Sequence, residues 1–354
     1  MSTISILDCT LRDGGYITGW DFGDTTIRTM ISRLVEDNLD YIECGYLNHK
    51  DYVQGSTIFQ TIKQIKDFLP ADRKSTKILA MADVTQFDPE DLTPYDGSSI
   101  DGIRVVFYKH QIKEAIKLCK AVKKNGYQLF IQPMVTIDYT IQEYASLTEK
   151  LNKINPYAVA IVDSFGYMNK NDFRKYFMIL DNILDPEVYI GFHSHNNMQL
   201  AFITAQDIFD YKTSRNLIID GSLYGIGRGA GNLHTELITN YYNMVAATKY
   251  NVPDILSCVG TYILPIKKTR NWGYSPYLFI TALYHVHPNF ACYLLEKHDL
   301  SVSQFEKYVQ TIPNEMRTKC KKPYVEQLYQ EFVGSESTLA TKDYGLNKIA
   351  KYSY

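Results

Sequence analysis

Gly102-Ile103-Arg104-Val105-Val106-Phe107, followed three residues later by Gln111–Asn125, is the stretch from which the fold is read. The first piece is short, apolar and rich in β-branched residues, as a buried strand is. The second repeats apolar side chains at Ile112, Ala115, Ile116, Cys119 and Val122, the spacing of one helix face, and Asn125-Gly126 supplies a helix stop. The same rhythm recurs on both sides. Strands are expected at Ile4–Cys9, Asp40–Cys44, Lys77–Met81, Gly102–Phe107, Tyr127–Pro133, Ala158–Val162, Tyr189–His193 and Leu217–Gly221. Amphipathic stretches between them cover Thr25–Asp37, Ser56–Phe68, Gln111–Asn125, Ile141–Ile154, Lys170–Leu184, Met198–Tyr211 and Leu233–Tyr250. Such alternation implies a parallel sheet. Eight units over roughly 250 residues fit a closed (β/α)8 TIM barrel, with a doubly wound open sheet as the alternative, because periodicity does not report closure. The third unit is irregular, since residues 82–99 are rich in Asp and Pro.

After about Tyr250 the alternation stops. Residues 1–250 are therefore expected to form the barrel and 251–354 a mostly helical appendage packed on it. Helical segments are expected at Tyr262–Ile266, Tyr277–Tyr284, Phe290–Lys297, Ser303–Gln310 and Pro323–Phe332, with a polar, loosely held tail from Gly334 to Tyr354. A net charge of -2 gives no reason to expect nucleic acid as a partner. No apolar run approaches a membrane span, and Met1–Ile6 lacks the basic lead of a signal peptide. The six scattered cysteines, without CxxC spacing, read as free thiols in a reducing, cytoplasmic setting.

The polar residues at the C-terminal ends of the strands collect where a barrel places its active site. Arg12 and Asp13 follow strand one, Glu43 ends strand two, Arg104 lies in strand four, Gln132 ends strand five and Asp163 ends strand six. Gly191-Phe192-His193-Ser194-His195-Asn196-Asn197 ends strand seven, and Gly225–Asn232 follows strand eight. Positions i and i+2 of a strand share a face, so His193 and His195 can aim at one metal ion, unless one packs and the other is solvated.

Asp8-Cys9-Thr10-Leu11-Arg12-Asp13-Gly14, Val162-Asp163-Ser164, Gly191-x-His193-x-His195-Asn196-Asn197 and Asp220-Gly221-Ser222-Leu223…Gly229-Ala230-Gly231-Asn232 together resemble the HMG-CoA-lyase-like metal-dependent (DRE-TIM) lyases. Within that superfamily the chain is most similar to the 4-hydroxy-2-oxovalerate aldolases, in the same order over about residues 4–245. The resemblance implies that Asp13, His193 and His195 bind a divalent metal, Mn2+ or Mg2+ ahead of Zn2+, with Asn232 joining them. The local alternatives are a turn cap for Asp13 and a helix N-cap for Asn232.

The implied reaction cleaves or forms a 4-hydroxy-2-oxo acid through pyruvate enolate, with a 2-oxo acid and an aldehyde as the small-molecule partners. Arg12 is the implied enolate stabiliser, or else pairs with Glu43 or Asp163; those two carboxylates are expected to hold Arg12 and the metal's waters. Arg104 and Gln132 are expected to bind substrate. Gly229 and Gly231 are read as a carboxylate or phosphate cradle, or as a plain tight turn. The related aldolases carry a histidine where this chain has Tyr16, a poor base at its ordinary pKa that can still serve catalysis by donating a hydrogen bond to the substrate hydroxyl. His49 and His110 are the alternative proton carriers. Trp272-Gly273-Tyr274 is either a lid or packing.

Gly225–Asn232 lacks the loop cysteine of HMG-CoA lyases, and Val162 stands where carboxyltransferases carry a carbamylated lysine. An acetyl-CoA-dependent Claisen-type synthase stays open. So do a partner-dependent barrel working with a dehydrogenase, a homo-oligomer, and a metal-binding barrel without turnover.

Overall fold

The computed structural model describes residues 3–334. Most of the tail expected to be loosely held, 335–354, lies outside the described residues. The strands are β1 (Ile4–Asp8), β2 (Tyr41–Leu47), β3 (Ile58–Phe59), β4 (Lys77–Asp83), β5 (Gly102–Phe107), β6 (Gln128–Pro133), β7 (Ala158–Asp163), β8 (Tyr189–Ser194) and β9 (Leu217–Gly221). They pair in parallel in the order β1-β9-β8-β7-β6-β5-β4-β2, and β1 pairs with β2 to close the ring. The closed (β/α)8 barrel is the architecture; the open sheet is excluded.

β3 is the one strand not foreseen. β1 meets β2 only at Leu7↔Tyr41 and Asp8↔Ile42, so the outer half of β2 would face an unpaired edge there. Ile58 and Phe59 fill it, opposite Tyr46 and Leu47. The helix expected over Ser56–Phe68 is accordingly cut back to Ile62–Lys66. It starts where Gln64 accepts the N–H groups of Gln60 and Thr61, both at 2.9 Å, as a capping box does.

The first helices, α1 (Thr10–Asp13), α2 (Gly15–Thr18), α3 (Asp24–Glu36) and α4 (Ile62–Lys66), precede the regular outer layer. That layer continues with α5 (Ile112–Lys124), α6 (Ile141–Asn152), α7 (Lys170–Ile183), α8 (Ala201–Ile208) and α9 (Thr235–Val245). Each buries an apolar stripe against the sheet, as Ala115, Leu118, Cys119 and Val122 do for α5. The irregular third unit carries only a 3-10 turn at Pro89–Asp91. A separate apolar cluster of Leu7, Cys9, Tyr41, Leu79, Phe130, Ala158 and Ile218 is buried within the barrel.

The first compact unit runs to Gly273; α10 (Val252–Cys258) lies on α3 through an Arg33–Asp254 ion pair, and Tyr250 donates to Asp40 at 2.6 Å. A short α11 (Leu264–Lys267) follows. The second unit begins at Tyr274 and is helical: α12 (Pro276–Leu283), α13 (Asn289–Lys297), α14 (Val302–Thr311) and residues 322–334. No helix among the described residues is long and apolar enough to cross a membrane.

Candidate active site

The turn out of β1 is set by Asp8, whose carboxylate accepts the Thr10 N–H at 3.0 Å and the Thr235 hydroxyl at 2.6 Å. α1 then lays Arg12 and Asp13 across the barrel mouth. Gly14 and Gly15 follow because nothing larger fits: a Cβ would lie 2.5 Å from Thr10 O at Gly14 and 2.1 Å from the Trp20 ring at Gly15. Asp13 does not cap that turn. One of its oxygens meets Arg12 Nη1, and the other accepts Asn232 Nδ2 at 2.6 Å.

One oxygen or ring nitrogen from each of Asp13, His193 and His195 falls within 4.8 Å of the others, and all three residues are buried. His193 Nδ1 faces Asp220 Oδ2 at 3.0 Å, which leaves its Nε2 for the centre of the group. A carboxylate behind a ligating imidazole fixes its tautomer and raises its basicity. His195 Nδ1 is buried, has no hydrogen-bond partner and lies 3.9 Å from Asp13. Asn232 Oδ1 is likewise buried and unpartnered. Orphaned buried acceptors are rare, and here they sit beside a buried carboxylate. The donor set fits a divalent cation.

The electrostatics agree. Burial would raise the Asp13 pKa, but Arg12, His195, His193 and Arg228 outweigh it and keep the carboxylate ionised. Burial drives His195 down to about 3, with Asp13 opposing and Arg228 reinforcing, so its ring is neutral with a lone pair to give. Burial works against the charge of Arg12 too, yet Asp13 and Glu43 hold it protonated.

Several expected site residues sit elsewhere than predicted. Asp163 is turned away from the mouth. In β7 it is Val162 that pairs with His193 and faces the cavity, and the next side chain points to the opposite face. Asp163 instead accepts the N–H groups of Tyr167 and Met168, at 3.2 and 3.0 Å, in the loop after its own strand. Burial raises it to about 7 against those bonds. Its carboxylate reaches neither Arg12 nor the metal group, and only its backbone carbonyl supports that group, by accepting the His195 N–H at 3.1 Å.

Arg104 lies inside the barrel, 1% exposed, below the cavity. It donates to Glu43 Oε2 at 3.0 Å and to Asp220, and with the Gln132 amide oxygen turned toward it, to Gln132 at 2.7 and 3.2 Å. It is a counter-ion to two carboxylates and does not line the cavity. Glu43, fully buried, bridges Arg104 and Arg12 Nε, the latter at 2.7 Å. Of this layer, Gln132 and Arg12 reach the cavity wall.

The cavity is lined by Arg12, Asp13, Tyr16, His193, His195 and Arg228, with Tyr46, Gln132 and Ser164. Met81, Val106, Met134 and Val162 complete its apolar side. Gly229 and Gly231 are not on that wall. Gly231 donates its N–H to Arg228 O at 3.1 Å, Ala230 donates to Asn197 at 2.8 Å, and a Cβ on Gly231 would lie 1.9 Å from Gly225 O. The loop is a tight turn, and what it offers the site is the side chain of Arg228. Trp272 packs beside this turn, 3.3 Å from where that Cβ would be, and donates to Tyr224 O at 3.1 Å.

Tyr16, 41% exposed, stands at the mouth with its hydroxyl 3.2 Å from that of Tyr46. His49 stacks on Phe87 and faces Asp91 at 3.4 Å, and His110 stacks on Tyr108; neither lines the cavity. Sequence reading missed Asp220 as the support of His193, and it missed Tyr46 and Arg228 as wall residues. Asp220 stands within a quoted motif and Arg228 within the Gly225–Asn232 loop, so position was available and side-chain direction was not. Tyr46 reaches the wall through an irregularity in β2: the β4 register slips between Glu43 and Tyr46, where Gly45 lies so close to Thr57 O that a Cβ would fall at 2.0 Å.

A closed barrel with a candidate divalent-metal site at its mouth is what this fold and donor set define. Residues 3–260 match the family described as HMGL-like, and the chain belongs to that family. It is 25% identical over 244 residues to oxaloacetate decarboxylase from Mycobacterium tuberculosis (strain ATCC 25618 / H37Rv), covering 66% of this chain and 68% of the relative. To 4-hydroxy-2-oxovalerate aldolase 6 of Rhodococcus jostii (strain RHA1) it is 24% identical over 268 residues, 74% of each chain. Among solved structures, the N-terminal domain of a candidate aldolase from Bacteroides vulgatus superposes with a TM-score of 0.69 at 26% identity, covering 83% of this chain and 97% of that one.

Proposed function

We propose that this protein is a divalent-metal-dependent aldolase that cleaves or forms a 4-hydroxy-2-oxo acid, with pyruvate as one product. The observation that carries the reading is the buried group of Asp13, His193 and His195 with Arg12 beside it at the mouth of the barrel. Asp13, His193 and His195, next to Asn232 Oδ1, would hold Mn2+ or Mg2+, and the ion supplies Lewis-acid stabilisation of negative charge on the substrate oxygens. Arg12 has Nε on Glu43 and Nη1 on Asp13, so its remaining nitrogen is the donor left for the 2-oxo oxygen. Because both carboxylates hold the guanidinium rigid, it needs little reorganisation as charge builds up.

In cleavage the C3–C4 bond breaks and its electron pair enters the pyruvate enolate. The 4-hydroxyl loses its proton as C4 becomes the aldehyde carbonyl, and C3 then takes up a proton to give pyruvate. Tyr16 and Tyr46 hydrogen-bond the 4-hydroxyl and pass its proton to solvent at the open edge. Met81, Val106, Met134 and Val162 keep bulk water from the far wall.

One observation favours a second reading. Apart from His193, His195 and Asp13, the described residues that line the cavity include no histidine and no carboxylate, and hence no conventional general base. Loss of CO2 from a 2-oxo acid with a carboxylate at C4, as in oxaloacetate, breaks the same bond and leaves the same enolate without removing a hydroxyl proton. Purified protein loaded with Mn2+ or Mg2+ tests both readings, with pyruvate release coupled to lactate dehydrogenase and NADH. Arg12→Ala should lower kcat by about 100-fold or more, the scale of losing one preorganised charge stabiliser, and Asp13→Ala should abolish metal-dependent turnover. Undiminished pyruvate release in either variant overturns the assignment.

A further inference from the structure

Two guanidinium groups line the cavity, and they are not equivalent. Arg12 is neutralised by Asp13 and Glu43. Arg228 forms no ion pair among the described residues; its Nη2 donates to Ser164 O at 3.2 Å and its guanidinium lies 5.3 Å from the centre of the Tyr16 ring. Its Nε is buried without any acceptor. An arginine does not discharge, so a half-buried guanidinium with no carboxylate in ion-pair reach, countered only at longer range by Asp13, carries an electrostatic cost that an anion relieves.

The two cations flank one pair of phenols. Arg12 lies 6.0 Å from the centre of the Tyr46 ring, Arg228 lies over Tyr16, and the two hydroxyls are 3.2 Å apart. A bound 2-oxo acid with its oxo end at Arg12 and the metal group therefore extends past Tyr16 and Tyr46 toward Arg228. The turn places that side chain deliberately, because Ala230 is tied to Asn197 directly behind the HxH motif.

We propose that Arg228 is the counter-ion for a second carboxylate on the substrate, carried on the carbon beyond C4, so that the acids handled here are 2-oxo dicarboxylates. This rests on the aldolase reading for the orientation of the substrate, not for the charge at its far end. A single planar guanidinium suits a carboxylate, which it can engage through two parallel hydrogen bonds.

The test separates binding from turnover. Titration calorimetry on the Mn2+-loaded protein compares 2-oxoglutarate with 2-oxopentanoate, which share the oxo-acid end and length and differ in the terminal carboxylate. Wild type should bind 2-oxoglutarate at least about tenfold more tightly, as a charge-assisted pair at a partly buried site implies. Arg228→Gln should erase the difference, and Arg228→Lys should keep part of it. Equal affinities in wild type, or a preference that survives in Arg228→Gln, overturn the proposal. In parallel, pyruvate release from 4-hydroxy-2-oxoglutarate and 4-hydroxy-2-oxopentanoate gives a kcat/KM ratio that should favour the diacid and fall at least about tenfold in Arg228→Gln. No release from either hydroxy acid defeats the aldolase reading, while the calorimetric comparison still decides the role of Arg228.

Discussion

Replacing Arg104 by Met exposes how the floor of the site is held together. Arg104 sits between Glu43 and Asp220, with Gln132 on its third side, and all four are buried. In Arg104→Met, Glu43 keeps only Arg12, and Asp220 keeps only His193. Each lost charge-assisted hydrogen bond is worth about 1.5–3 kcal/mol, and stranding buried carboxylates costs about 3–5 kcal/mol in all. With a urea dependence of about 3 kcal/mol per M, the unfolding midpoint should fall by roughly 1–1.7 M. Urea melts at pH 7, followed by far-UV circular dichroism and tyrosine fluorescence, read that shift. Adding Asp220→Asn to the variant should restore part of the loss by removing one stranded charge. A midpoint shift below about 0.3 M, or a double variant no more stable than the single one, would show that Arg104 merely fills space.

Asp220→Asn alone should weaken Mn2+ binding by roughly 10–100-fold, because the carboxylate that orients His193 is gone; calorimetric titration checks this, and unchanged affinity refutes the supporting role. A pH effect is expected far from the site, at Asp37, which is fully buried with neither carboxylate oxygen hydrogen-bonded. Burial and then the neighbouring Asp254 push its pKa up to about 7. A carboxyl raised in this way binds its proton more tightly folded than unfolded, so its contribution falls as pH rises from about 4 to about 7 and is level above. Asp37→Asn should therefore be more stable than wild type by about 1–2 kcal/mol at pH 8 and no different at pH 4; equal stability at both pH values refutes the shift.

The strands and most helices were legible in the chain because their signal is local. Apolar periodicity along Gly102–Phe107 and Gln111–Asn125 is enough to mark a strand and a helix wherever they end up. The pairing of His193 with His195 was legible for the same reason, as was the presence of Arg12 and Asp13 at a strand end. Closure was not, because the β1–β2 pairing joins residues by sheet register, and no periodicity reports register. Nor was the fate of the charged residues. Asp163 and Val162 are neighbours in sequence, and only the alignment of β7 on β8 decides which of them faces the cavity.

Arg104 could be read as pointing into the barrel, but whether it met substrate or carboxylates depended on Glu43 and Asp220, 61 and 116 residues away. The glycine loop was open to two readings, an anion cradle or a plain tight turn, because its residue types do not report where its backbone donors point. Folded, it spends backbone donors on its own turn and delivers Arg228 instead. Local patterning thus determined the elements and the residue types of the site. Long-range pairing, in which each charge must find its partner once water is removed, decided which of those residues face the substrate.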